Sequence, residues 1–211
     1  FDPRVAGSIV GHLVGAINGA SIARKTSFLK DKLGEQLFSK EIRIIDDPLR
    51  VRGLRSQTFD AEGVKVKKTA LIDAGVLTTW VLDSATAREL GLVTTGHAHR
   101  GVSSSPSPGT YNLHLEAGAV TPKELISDIK QGFYVTDLIG SGVNGVTGDY
   151  SRGASGFWIE NGEITYPVSE VTIAGHLLPM FKSLVAANDL EFRYGVNSPT
   201  LRIEGLTLGG R

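Results

Sequence analysis

Ser8 and His12 stand four residues apart in PRVAGSIVGHLVGAINGASI, Pro3 to Ile22, whose apolar spacing is helical, so a hydroxyl and an imidazole share one helical face. Such a pair is the raw material of a nucleophile and its general base. That chemistry also needs an acid to orient the imidazole and donors to hold an oxyanion, and the sequence supplies neither at a recognisable spacing. His12 is therefore read as a buried histidine hydrogen-bonded to a neighbouring backbone group. His97 and His99, two apart in TTGHAHRGVSSSPSPG, point the same way in extended backbone and form a second possible centre, a shared metal ion. With no third ligand evident, surface histidines in a loop are the plainer reading.

Gly140 to Gly145, GSGVNG, satisfies the letters G-x-G-x-x-G directly after the strand-like FYVTDLI. A dinucleotide fingerprint opens a helix whose N-terminus holds the pyrophosphate. The residues that follow, VTGDYSRGASG, have no helical period, and nucleotide binding is not inferred. The segment reads instead as a long glycine-rich loop whose backbone can approach an extended peptide and bond to its main chain. Asn144, Gly145, Thr147, Gly148, Asp149, Ser151 and Gly153 are expected to meet a substrate or partner. Arg50, Arg52 and Arg55, interleaved with Val51 and Leu54, read as a solvated loop or strand edge.

The elements that must position these groups are marked by local signals. Asp2 is an N-cap and Pro3 suits the first helical position. Gly7, Gly11, Gly15 and Gly19 recur every fourth residue as a ridge without side chains. Each costs roughly 1 kcal/mol against alanine, so tight packing of a neighbour against the ridge is expected, and with it a buried central helix. A charge-free run from Val5 to Ile22 with repeated G-x-x-x-G also suits a membrane span, but the glycines, Ser8, His12, Asn18 and Ser21 dilute it, and no membrane role is expected.

Downstream, IRII before Asp46 reads as a strand, and Asp73-Ala74-Gly75 joins two strands of a hairpin that holds a buried Trp80. Ser84 caps a short helix that Gly91 ends. Leu113 and Leu115 alternate with a polar-side His114. Thr121-Pro122-Lys123-Glu124 is a capping box opening a helix that Gly132 closes. Asn161-Gly162 turns a hairpin from GFWIE to EITYPV, followed by a short strand at Glu170 to Ala174 and a helix from Leu177 to Ala187. The sum is an α+β fold, mostly antiparallel sheet packed around the glycine-rich helix, in one domain over residues 1–211.

The totals exclude little. Lysine plus arginine and aspartate plus glutamate are 22 each, so no global charge draws the chain to nucleic acid, and direct binding to it is not expected. Cysteine is absent, which removes disulfides, thiolate metal sites and thiol nucleophiles and fits a cytoplasmic protein.

Across nearly its whole length the chain resembles the C-terminal domain of the TldD and PmbA (TldE) proteins, a family called modulators of DNA gyrase and described as a bacterial peptidase complex. The likeness rests on the glycine-ridged opening helix, on DSATARELGLVTTGHAHR, on VNGVTGDYSRGASGFWIENGEITYPVSEVTIAG, on ANDLEF and on SPTLRIEGLTLGG, and it leans to the PmbA side. The resemblance implies a zinc peptidase in which a His-Glu-x-x-x-His motif in that helix and a later cysteine serve the metal. Here the motif's positions read Gly7-Ser8-Ile9-Val10-Gly11-His12, and one imidazole without a carboxylate can neither grip zinc nor deprotonate a water. The implied role is a non-catalytic, peptide-contacting subunit with no cofactor of its own, beside a zinc-bearing TldD-like paralogue, with a homodimer as a further possible assembly. It also implies an N-terminal domain outside this chain. The alternatives are a hydrolase active alone and a scaffold partner of gyrase.

Overall fold

Asp2 accepts a hydrogen bond from Arg4 N and starts helix α1, Pro3–Ala16, as its sequence anticipates. The helix does not reach Ile22. Asn18 accepts from Ala20 N and caps a second helix, α2, Gly19–Ala23, because its short amide competes locally with the continuing helix. The computed structural model describes residues 1–210.

The remaining elements are β1 (Ile44–Asp46), β2 (Thr69–Asp73), β3 (Val76–Leu77), α3 (Ser84–Glu89), β4 (Ala98–His99), β5 (Ser107–Pro108), β6 (Leu113–Leu115), α4 (Pro122–Ile126), β7 (Gln131–Ile139), β8 (Asp149–Glu160), β9 (Glu163–His176), α5 (Leu177–Ser183), β10 (Val185–Ala186), β11 (Val196–Asn197), β12 (Leu201–Arg202) and β13 (Thr207–Gly209). One sheet runs β11-β6-β1-β2-β3, with only β11 and β6 parallel; another runs β13-β9-β8-β7, all antiparallel. Helix α1 lies between them, and its Ile9, Val10 and Leu13 share one core with Ile44, Ile72 and Leu113 of the first sheet and Val135, Ala154 and Ile173 of the second. The architecture is α+β around the opening helix, with Trp80 buried as expected.

Three boundaries differ from the sequence reading. Helix α4 has its capping box but ends at Ile126, well before Gly132, and α5 ends at Ser183 because Val185 and Ala186 pair with β12. The expected short strand at Glu170 is one with the hairpin arm before it: β9 runs through Pro167 and a left-handed Glu170, which irregular pairing with β8 accommodates. The turn itself is as read, Asn161 and Gly162 both taking the positive φ of a type I′ turn. His114 is buried rather than on a polar face, since β6 is covered on both sides; its ring meets Phe192 edge-on, and Phe192 lies beneath the Arg50 guanidinium.

The ridge expectation also needs correction. A Cβ on Gly7 would touch Val196 at ordinary distance and one on Gly19 would collide with Thr86, Leu82 and Val81, whereas Gly11 and Gly15 are exposed with no heavy atom within 4 Å. Half of the ridge is therefore open surface. Gly11→Ala and Gly15→Ala are each expected to raise stability by about 0.5–1 kcal/mol through helix propensity, and Gly19→Ala to lower it, in urea denaturation of each variant. No helix among the described residues is long and apolar enough to cross a membrane.

Candidate functional site

The Ser8–His12 pair is not formed. Ser8 Oγ donates to Val5 O at 2.6 Å, tying the hydroxyl to its own helix. His12 is half-buried, and the backbone bond expected for it is missing at Nε2, which is buried without a partner. Its ring instead meets Tyr150 edge-on, centroids 5.9 Å apart.

Tyr150 and Arg152 come from β8, where alternate residues share a face. Tyr150 is 1% exposed and its hydroxyl has no partner; Arg152 is partly buried and its Nε has none either. Burial, with the Arg152 charge second, lowers the affinity of His12 for a proton, and burial pushes the Tyr150 phenol up to about 12. Burial thus favours the neutral form of both rings.

Of the expected contact residues, Asn144, Gly145 and Thr147 lie in a compact exposed turn. Asn144 Oδ1 accepts from Val146 N and Thr147 N, and Gly148 N donates to Asn144 O. His176 Nε2 lies 2.8 Å from Thr147 O, Leu177 N donates to Gly148 O, and Phe28 N donates to Gly145 O, so the turn is fastened to the body of the domain. Asp149, Ser151 and Gly153 are not loop residues; they occupy β8. Ser151 faces away from His12 by strand alternation, while Tyr150 and Arg152, which the sequence reading passed over, face toward it. The signal was available in the alternation of DYSRG once that stretch is read as strand.

His97 and His99 flank Tyr111, at 5.7 and 4.6 Å between ring centroids. His97 Nε2 stands 3.2 Å from Asp46 Oδ2, close enough to pair though poorly aligned for a hydrogen bond, and its Nδ1 lies 2.9 Å from Thr95 O. No cluster of three or more histidine and carboxylate side chains among the described residues is arranged to hold a metal. The zinc that the resemblance implies likewise has no fit at His12: Gly7 lacks a side chain, Ser8 is bonded to its own helix, and Arg152 is the charge His12 feels most. A dication would meet a guanidinium there.

A concavity of about 1160 Å³ lies elsewhere, between the β7–β8–β9 sheet, residues 125–130 and residues 203–208. Its walls are apolar at Ile129, Phe133, Ile159 and Leu206, and at its rim Arg202 is paired with Asp128 and Glu204. Lys130 and Glu160 also line it, while the buried side-chain atoms without a partner lie elsewhere, at His12, Tyr150 and Arg152 and at His97 and His99.

Comparison with known proteins places these features. A family profile described as PmbA/TldA metallopeptidase C-terminal domain matches residues 1–210. "Metalloprotease PmbA" of Escherichia coli O157:H7 is 42% identical over 212 residues, covering 100% of this chain and 45% of that protein. "Metalloprotease TldD homolog" of Haemophilus influenzae is 31% identical over 218 residues, covering 95% of the chain and 45% of the relative. The crystal structure of TldE from Thermococcus kodakarensis superposes with a TM-score of 0.83 at 27% identity, over 94% of this chain and 46% of that one. The chain thus spans about half the length of the relatives it matches.

Proposed function

We propose, since the chain belongs to the PmbA/TldA metallopeptidase family, that it is the C-terminal part of a cytoplasmic subunit without a metal of its own, which contacts peptide and shapes the groove of a metal-bearing paralogue. The observation that carries this reading is the company of His12. Glycine and a helix-bonded serine stand where the resemblance puts a ligand and a base, and an arginine faces the imidazole. Relatives named PmbA and relatives named TldD both match along the chain, which supports two subunits of one architecture.

Co-purification of the full-length protein with a TldD-like paralogue, followed by metal analysis and peptide hydrolysis for each subunit and for the mixture, tests the reading. Zinc confined to the paralogue and hydrolysis that requires the paralogue are expected. Stoichiometric zinc in this protein after a chelator wash, lost on His12→Ala, would overturn it. So would peptide hydrolysis by this subunit alone, the outcome that favours an independent hydrolase.

A further inference from the structure

The concavity beside β7 has two walls that end in unpaired backbone. On one side Val135 O accepts from Asp2 N, so the bonding groups of Val135 point away from β8, and by strand alternation those of Phe133 point the same way. On the other side Thr200 O accepts from Ala187 N and Glu204 N donates to Ser183 Oγ, which leaves Leu201 and Ile203 facing the opposite edge. Phe133 and Ile203 both line the concavity, and neither has a backbone partner on these edges among the described residues. Free edges of this kind are templates for another strand. The space also leaves Ile129, Phe133, Ile203 and Leu206 only half-buried.

Phe1 stands where the two walls meet. Its N donates to Leu201 O at 2.7 Å and Leu201 N donates to its O at 3.0 Å, the two-way exchange of an antiparallel pair, while Asp2 N bonds β7 from the other side. One width of extended chain therefore already fits between β12 and β7. Residues ahead of Phe1 that kept this register would lie opposite residues 202–204, along the concavity. Gln131 to Val135 of β7 line it, about 17 Å of strand at roughly 3.3 Å per residue. The matching profile is described as a C-terminal domain and the chain spans about half the length of its relatives, so the full-length protein has ample chain to place there.

We propose that the concavity is the seat of the residues immediately preceding Phe1 in the full-length protein, which run through it as a further strand, antiparallel to residues 202–204 and beside β7. The added strand joins the β10-β12 pair to the β13-β9-β8-β7 sheet and covers the half-buried apolar side chains. It also fixes the start of α1, because the same segment leads through Asp2 into the helix that carries His12.

The test uses the full-length protein with no cysteine besides those introduced. Ile203→Cys is combined with a cysteine at each of the four residues before Phe1 in turn, and the disulfide formed on oxidation is located by mass spectrometry. Counting back from the pair of Phe1 with Leu201, the second residue before Phe1 stands opposite Ile203. Linkage is expected to be strongest there and weak at the residues on either side, whose side chains point to the other face. Hydrogen exchange of the parent should show slow amides at Phe133 and Ile203 at every protein concentration. Proline at the second residue before Phe1 should speed both by about 10- to 100-fold, since it removes a ladder bond. Equal linkage at all four positions, or none, would overturn the proposal. So would amides that exchange fast until a peptide is added, the result for a peptide groove, or linkage found only between two molecules, the result for a second copy. None of these outcomes depends on which subunit carries zinc.

Discussion

Asp46→Ala is expected to lower the unfolding free energy by roughly 1–3 kcal/mol, the cost of leaving a buried backbone donor without its acceptor. Asp46 has 0% exposure, and both of its carboxylate oxygens accept from Tyr111 N at 3.0 Å while Oδ2 faces His97 Nε2. Tyr111 in turn donates its hydroxyl to Gly96 O at 2.8 Å, so the strand end at Asp46, the Thr95–His99 segment and the start of β6 are locked by one acid. Deleting the carboxylate leaves the Tyr111 N–H buried without an acceptor. Against a total stability of roughly 5–15 kcal/mol, such a loss is a substantial fraction. Urea denaturation of the parent and variant measures it. Asp46→Asn should fall between them, because an amide oxygen still accepts from Tyr111. A variant within about 0.5 kcal/mol of the parent, the range of an ordinary surface change, would show that the network does not bear on stability.

That network also shows where reading the sequence reaches its limit. His97 and His99 invite a metal because two histidines two apart point one way in a strand. What decides their use is Asp46, some fifty residues earlier, and Tyr111 between them, and no spacing rule relates those positions. Local signals fared differently. The Asp2 cap, the Thr121–Glu124 box and the Asn161-Gly162 turn were legible because each is fixed by hydrogen bonds within a few residues. The length of α1 was not, because Asn18 capping Ala20 N outweighs an apolar run that continues past it. His114 was misplaced for a related reason: alternation reveals which face is polar only when one face meets water, and β6 is covered on both.

At the candidate site, glycine at position 7 and serine at position 8, where the resemblance implies a ligand and a base, could be read directly from the letters. The partners of His12 could not, because reading VTGDYSRGASG as loop removed the period-two pattern that places Tyr150 and Arg152 together. Glycine content suggested a loop there. In the fold several of those glycines serve strand geometry.

Gly156 is the clearest of them. A Cβ at this position would lie 1.9 Å from Tyr134 O, 2.9 Å from Tyr134 C and 3.1 Å from Thr136 N, all of them backbone atoms of β7 that cannot swing aside. Pairing shifts register here, between Val135 and Asp137 on β7 and between Ala154 and Gly156 on β8, so the missing side chain lets two bulged strands touch. Gly156→Ala is therefore expected to cost roughly 3 kcal/mol, the upper end of what overpacking costs against softer neighbours. Gly145→Ala is the matched control: with nothing within 4 Å and no positive φ, it should leave the urea midpoint unchanged. The damage at Gly156 should also travel. Val135 O accepts from Asp2 N at 2.9 Å and Tyr134 Oη donates to Asp2 Oδ2 at 3.0 Å, so pushing β7 away loosens the residue that caps α1. Amide hydrogen exchange would register this as faster exchange in the first turn of α1 for Gly156→Ala and not for Gly145→Ala. Equal protection in the two variants would mean that β7 does not hold the helix that carries His12.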